Sequence, residues 1–266
     1  MIEAFILGMV QGLTEFLPVS SSGHLLILQR AFGLHAEGGG MLLLNILLHV
    51  GTLVAVLVVY RARILHMLRH PVQSELKWLV VATIPAVIAA LTINFDEAFE
   101  GKFIVWSFYL TSLVLVVSGF IAEQRRRQKK QHKEVRWQDA AAMGVMQAVA
   151  ILPGLSRSGS TIAGGLASGL TRKRAADFSF LMSIPAILGS VVFELKGILE
   201  MGAAGSAASP GAIIVGILSA MVFGFLAIKL MLWIVRRISL NWFALYTFLL
   251  GTYLLIDKYI LHGFMA

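Results

Sequence analysis

Six stretches of this chain, at about residues 41–60, 78–95, 103–122, 177–195, 212–234 and 242–257, are apolar for close to the length that crosses a bilayer. A spanning helix needs roughly 20 mainly apolar residues, because within hydrocarbon each backbone polar group must be satisfied inside the segment. A soluble core of 266 residues cannot absorb so much apolar surface, with 58% hydrophobic and 14% charged residues and a mean hydropathy of +0.83. The expected fold class is an all-α polytopic membrane protein, a single integral membrane domain over residues 1–266 with six spanning helices.

The charges orient those helices. Fifteen of the 22 Lys and Arg residues fall at 61–70, 125–136, 172–174 and 236–237, which reads as four cytoplasmic segments. NFDEAFEGK and KGILEMGAAGSAASPG are acidic or nearly neutral and belong outside. The net charge of +8 is therefore a topology signal. No aromatic residues interleave with the basic ones, so no nucleic acid is expected; Asp139 and the run RRRQKKQHK read as a solvated loop near anionic lipid. MIEAF lacks the basic flank and cleavage site of a secretory signal and is expected to stay in the mature chain. With no cysteine, disulfides and thiolate metal sites are excluded.

Two apolar regions, 1–35 and 137–170, are too broken to span. Each is a short apolar run, a turn rich in Ser, Gly and Pro, and another short run. The flanking charges require the first to start and finish outside and the second to start and finish inside. They are read as re-entrant helix-loop-helix hairpins. An offset of 136 residues superposes Gly8, Gln11, Ser20, Ser22 and Gly23 on Gly144, Gln147, Ser156, Ser158 and Gly159. Each hairpin is followed by three spans, which gives an inverted-topology repeat with halves at about 1–122 and 137–262 and both tips near the midplane.

Those tips, SSSGH and SRSGS, each place a Ser-Gly pair at the opening of a short helix, expected to begin after Gly23 and Gly159. Helix amino termini leave N–H groups free and carry partial positive charge, and Gly lets an anion approach. Arg157 adds a planar donor fork suited to phosphate oxygens. Glu15, one turn after Gln11, could hold a divalent cation or act as a base, and His24 could take either end of a proton transfer. A charged group at a membrane helix centre costs roughly 2.5–3.5 kcal/mol, so Glu15, His24 and Arg157 read as functional. Gly8, Gly12, Gly165 and Gly169 read as close-packing positions, and Pro18 and Pro153 as helix stoppers. His49 and Asn45 fit either an interhelical bond or the site. Lys229 reads as snorkelling, Arg172, Lys173 and Arg174 as topology determinants, and Asp177 as a helix cap.

QGLTEFLPVSSSGHLL resembles the (E/Q)xxxE motif and PxSSxGH segment of the bacterial undecaprenyl pyrophosphate phosphatases of the bacitracin-resistance type. LPGLSRSGSTIAGGLASGLTRKRAADFSFLMSIPA is similar to that family's PGxSRSxxT segment. The resemblance implies an inner-membrane hydrolase that converts undecaprenyl pyrophosphate to undecaprenyl phosphate and inorganic phosphate, recycling the lipid carrier for peptidoglycan and conferring bacitracin resistance. It implies Glu15 as the second motif glutamate, Ser21 as nucleophile with His24 or water as the alternative, and Arg157 on the pyrophosphate. Ser20, Ser22, Ser156, Ser158 and Thr161 would line the phosphate site with Gly23. Mg²⁺ or Ca²⁺ is expected at Glu15 with Gln11 nearby; Gln11 cannot be an anionic ligand. Polyprenyl pyrophosphate, membrane lipids and a second copy in a homodimer are the expected partners, and the site is expected to open to the periplasm. Acid-phosphatase chemistry is set aside because its SRxxxxxHxxxD motif needs a histidine where Ala163 stands. An ion-coupled transporter remains the non-enzyme alternative.

Overall fold

A computed structural model describes residues 1–34, 39–93, 103–201, 209–261 and 263. Ten α-helices and no strand are found among them: α1 (Ile2–Phe16), α2 (Ser21–Ala31), α3 (Gly39–Arg69), α4 (Leu76–Thr92), α5 (Ile104–Arg127), α6 (Trp137–Val149), α7 (Arg157–Ser168), α8 (Arg172–Met201), α9 (Pro210–Arg237) and α10 (Asn241–Ile256). The predicted NFDEAFEGK loop, and most of the loop before α9, lie outside the described residues.

Five of the helices, α3, α5, α8, α9 and α10, are long and apolar enough to cross a membrane. The sixth expected span, α4, has 17 described residues, about 25 Å at 1.5 Å per residue. Its Val80, Ile84, Ile88 and Leu91 are nonetheless exposed, an apolar surface suited to lipid. The two broken regions form short helix pairs, α1–α2 of 15 and 11 residues and α6–α7 of 13 and 12.

Glycine sets how these pairs seat. A Cβ on Gly12 would lie 2.6 Å from the Ala220 carbonyl oxygen, and one on Gly144 2.6 Å from that of Ala82. α1 is thereby pressed on α9, and α6 on α4. Ser219 Oγ also donates to the Phe5 carbonyl at 2.9 Å. Gly8 is packed in the same way against Gly216 and Ser219, and Gly165 against Ala175 and Met143. Gly169 is closely packed too, a Cβ there lying 3.1 Å from the His132 ring, and it also caps α7 at φ +116, a conformation that favours a residue without Cβ.

The largest buried cluster fixes the end of α1. Phe16 is fully buried and meets Phe180 of α8 edge to face, with ring centroids 5.6 Å apart. Leu17 is extended before Pro18, which ends α1 as expected.

Two acidic residues depart from their expected roles. Asp139 is buried, not solvated: its carboxylate accepts from the Arg136 amide at 2.8 Å and pairs with His132 at 2.9 Å. It satisfies an orphan donor at the start of α6. Asp177 lies inside α8 rather than at its cap, and accepts from the Tyr60 hydroxyl at 2.9 Å. Beside it Glu75 holds both Arg63, at 2.5 Å, and Arg174, so Arg174 cross-links helices at the basic end of the bundle.

Candidate active site

Each tip begins with a serine cap. Ser20 Oγ accepts from the Gly23 amide at 3.2 Å, and Ser156 Oγ from the Gly159 amide at 3.0 Å. The helices therefore begin at Ser21 and Arg157, three residues before the expected start, because a capping serine draws its third following residue into the first turn. The amides of Ser21, Ser22, Arg157 and Ser158 occupy the free amino ends.

The tips interlock. The Gly154 amide donates to Ser22 Oγ at 3.3 Å, and Ser158 Oγ donates to the Leu17 carbonyl at 2.9 Å. A Cβ on Gly159 would sit 3.2 Å from Pro18, and one on Gly23 2.6 Å from the Phe108 ring. Thr111 on α5 supports the second tip by accepting from the Ser156 amide at 3.0 Å. Thr161 is fully buried, and its hydroxyl bonds to Ser179 Oγ at 2.6 Å. Ser20, Ser22, Gly23, Ser156, Ser158 and Thr161, expected to line a phosphate site, thus sit together at the tips. Here they hold one tip to the other and to the flanking helices.

Glu15 is the centre of the assembly. It is 7% exposed. Its Oε1 accepts from Arg157 Nη2 at 2.5 Å across the two hairpins, and its Oε2 accepts from Ser21 Oγ at 2.6 Å. Gln11 Nε2 reaches the same Oε2 at 3.1 Å, and His49 Nε2 stands 3.9 Å from it. A buried carboxylate is tolerable here because a guanidinium and hydrogen-bond donors converge on it. His49 thus stands beside Glu15, whereas Asn45 is an interhelical partner that accepts from Gln29 at 2.7 Å.

His24 is turned elsewhere. Its Nδ1 lies 2.7 Å from the Ser20 carbonyl and its Nε2 2.6 Å from the hydroxyl of Tyr246 on α10. Tyr246 has no sequence signal, since it stands in an apolar helix with no motif around it. Thr111 and Ser179 are likewise ordinary hydroxyls until the fold brings them to the tips.

As a metal site the residues are incomplete. No group of three or more His, Cys, Asp or Glu that could hold an ion exists among the described residues. Gln11 Oε1 is buried without a partner beside Glu15, so the chain can offer one carboxylate and one neutral oxygen.

A serine held by a carboxylate, an arginine on the same carboxylate and two helix amino termini make up the equipment for phosphoryl chemistry inside a polytopic membrane protein. The chain belongs to the family described as Bacitracin resistance protein BacA, which it matches over residues 4–253. It is 44% identical over 260 residues to an undecaprenyl-diphosphatase of Carboxydothermus hydrogenoformans, with 96% of each chain covered. It is 40% identical to undecaprenyl-diphosphatase 4 of Bacillus thuringiensis subsp. konkukian, again over 96% of each. A Methanobrevibacter smithii undecaprenyl-diphosphatase is 37% identical, over 94% of this chain and 95% of that one.

Proposed function

We propose that this protein hydrolyses undecaprenyl pyrophosphate to undecaprenyl phosphate and inorganic phosphate, recycling the carrier lipid for peptidoglycan synthesis and conferring bacitracin resistance. The observation that carries the reading is Glu15, whose carboxylate accepts from Ser21 at 2.6 Å and Arg157 at 2.5 Å. Glu15 Oε2 takes the Ser21 proton as Ser21 Oγ attacks the terminal phosphorus. The bond from that phosphorus to the bridging oxygen breaks, and undecaprenyl phosphate leaves with the electron pair. Water then cleaves the phosphoserine, releasing inorganic phosphate and restoring the serine. Arg157 and the amino ends of α2 and α7 bind the phosphate oxygens, so catalysis rests on positioning and charge neutralisation. A divalent cation, if bound, would find only Glu15 and Gln11 Oε1 on this chain to hold it, with substrate oxygens completing its shell, and would neutralise diphosphate charge.

The inverted repeat is part of the proposal, with α1–α2 and α6–α7 as its re-entrant hairpins and α4 as its sixth span. What supports it is the exchanged packing: α1 lies on α9, and α6 on α4, each the second helix after the other hairpin. In the inner membrane the basic segments face the cytoplasm, the amino terminus faces the periplasm and the site opens to the periplasm.

Purified protein in lipid nanodiscs is expected to release phosphate from undecaprenyl pyrophosphate. A chain that binds this lipid, releases none and moves a labelled anion across liposomes is a transporter. Near-normal turnover in Ser21→Ala would hand the attack to His24 or to water.

A further inference from the structure

The surroundings of His24 fix which of its nitrogens carries a hydrogen. A carbonyl oxygen only accepts, so Nδ1, 2.7 Å from the Ser20 carbonyl, must donate. The ring packs edge-on to Phe108 at 5.8 Å and stacks on Tyr246 at 5.7 Å with planes 13° apart. No carboxylate of the described residues is in ion-pair contact with it, and an imidazolium there would have no counter-ion. The ring is therefore neutral and its lone pair is on Nε2, which leaves the Tyr246 hydroxyl, 2.6 Å away, as the donor. Ser20 itself is held at φ +73, an unusual conformation for a residue with a side chain. Its carbonyl receives both the His24 amide, at 3.2 Å, and Nδ1.

We propose that Tyr246 is a positioning residue of this site: its phenol donates to His24 Nε2 and, with the Ser20 carbonyl, holds the imidazole as the Nδ1–H tautomer. The ring's lone pair is occupied by α10, and Ser21, on the Glu15 side, is the hydroxyl presented to phosphorus. The tautomer follows from the geometry; its effect on turnover rests on the diphosphatase reading.

The test uses ¹⁵N-histidine-labelled protein in lipid nanodiscs, with the His24 resonances assigned from a His24→Gln variant. The neutral Nδ1–H form is expected in the unaltered protein. In Tyr246→Phe the resonances shift towards mixed tautomers, and kcat for phosphate release falls about tenfold, the loss of one good hydrogen bond. KM stays within about twofold, since the group lost acts through His24 on the Ser20 carbonyl, and so on the placement of Ser21, rather than on substrate. Tyr109→Phe, which removes a 3.0 Å phenol contact to Thr252, changes neither readout. An imidazolium or Nε2–H signal in the unaltered protein overturns the proposal, as does a Tyr246→Phe variant that keeps both tautomer and turnover. A rise in turnover also overturns it, because the phenol would then be masking a nucleophilic His24. Absence of phosphate release from the unaltered protein sinks the diphosphatase reading instead, while the spectrum still decides the tautomer.

Discussion

The first hairpin caps α2 with Ser20 on the Gly23 amide, and the second, 136 residues on, caps α7 with Ser156 on the Gly159 amide. Ser22 and Ser158, also equivalent, both reach across to the other tip, but in opposite senses. Ser22 accepts from the Gly154 amide, while Ser158 donates to the Leu17 carbonyl. The reason is Pro18, which stands where the second hairpin has Gly154 and has no N–H to offer. Elsewhere in that register the two pairs part company: Glu15 faces Ile151, Ser21 faces Arg157, and His24 faces Ser160. Yet Ser21 and Arg157 both end on the Glu15 carboxylate. The two helix pairs are like scaffolds that meet at one carboxylate, the first giving it a hydroxyl donor and the second a positive charge.

The strongest way to break that asymmetry is at the shared carboxylate. Glu15→Gln keeps the shape but removes the base and the partner of Arg157, and phosphate release is expected to fall by about 10³-fold, within the span of general base catalysis. Ser21→Ala should fall as far, and the double variant no further, because the two act as one unit. Losses that multiplied in the double variant would mean that Glu15 and Ser21 work independently, and the 2.6 Å contact would not be the catalytic one.

The scaffold half of the comparison predicts equal effects in both helix pairs. Gly12→Ala and Gly144→Ala each put a methyl group 2.6 Å from a carbonyl oxygen of the helix beneath, and each should cost about 1–3 kcal/mol through forced backbone shifts. Gly189→Ala on α8 is the control, since a Cβ there meets nothing within 4 Å; it should be neutral or gain up to about 1 kcal/mol in helix propensity. Thermal unfolding in one detergent measures all three. A large loss at Gly12 with none at Gly144 would mean that only the first hairpin is seated through its glycine.

Which parts were legible in the sequence follows from the same physics. Glu15 and Arg157 stood out because charge at membrane depth is costly, and the hairpins because Ser, Gly and Pro broke runs too short to span. His49 could be narrowed only to two uses, since its role depends on Glu15 of another helix. The tip hydroxyls were recognisable as a group but not by individual role, because a serine that can bind phosphate can equally cap a helix, and only the neighbour decides. Asp139 and Asp177 were misread for that reason, their partners being His132 across a turn and Tyr60 on a helix 117 residues away. Tyr246 was invisible because tyrosine is common in membrane helices, near their interfaces above all.

The smallest predicted effect lies at the paired glutamines. Gln11 donates to Glu15 one turn on, but Gln147 has Ile151 there, and both of its amide atoms are buried without a partner. An unsatisfied buried polar group costs roughly 1–3 kcal/mol, so Gln147→Leu should raise thermal stability by about 1 kcal/mol and leave phosphate release unchanged. Gln11→Leu should do the reverse, lowering turnover by about tenfold as one donor to Glu15 is lost, with little change in stability. If Gln147→Leu instead lowers stability or turnover, that amide binds an ordered water or a substrate group, and the second hairpin contributes more to the chemistry than Arg157 alone.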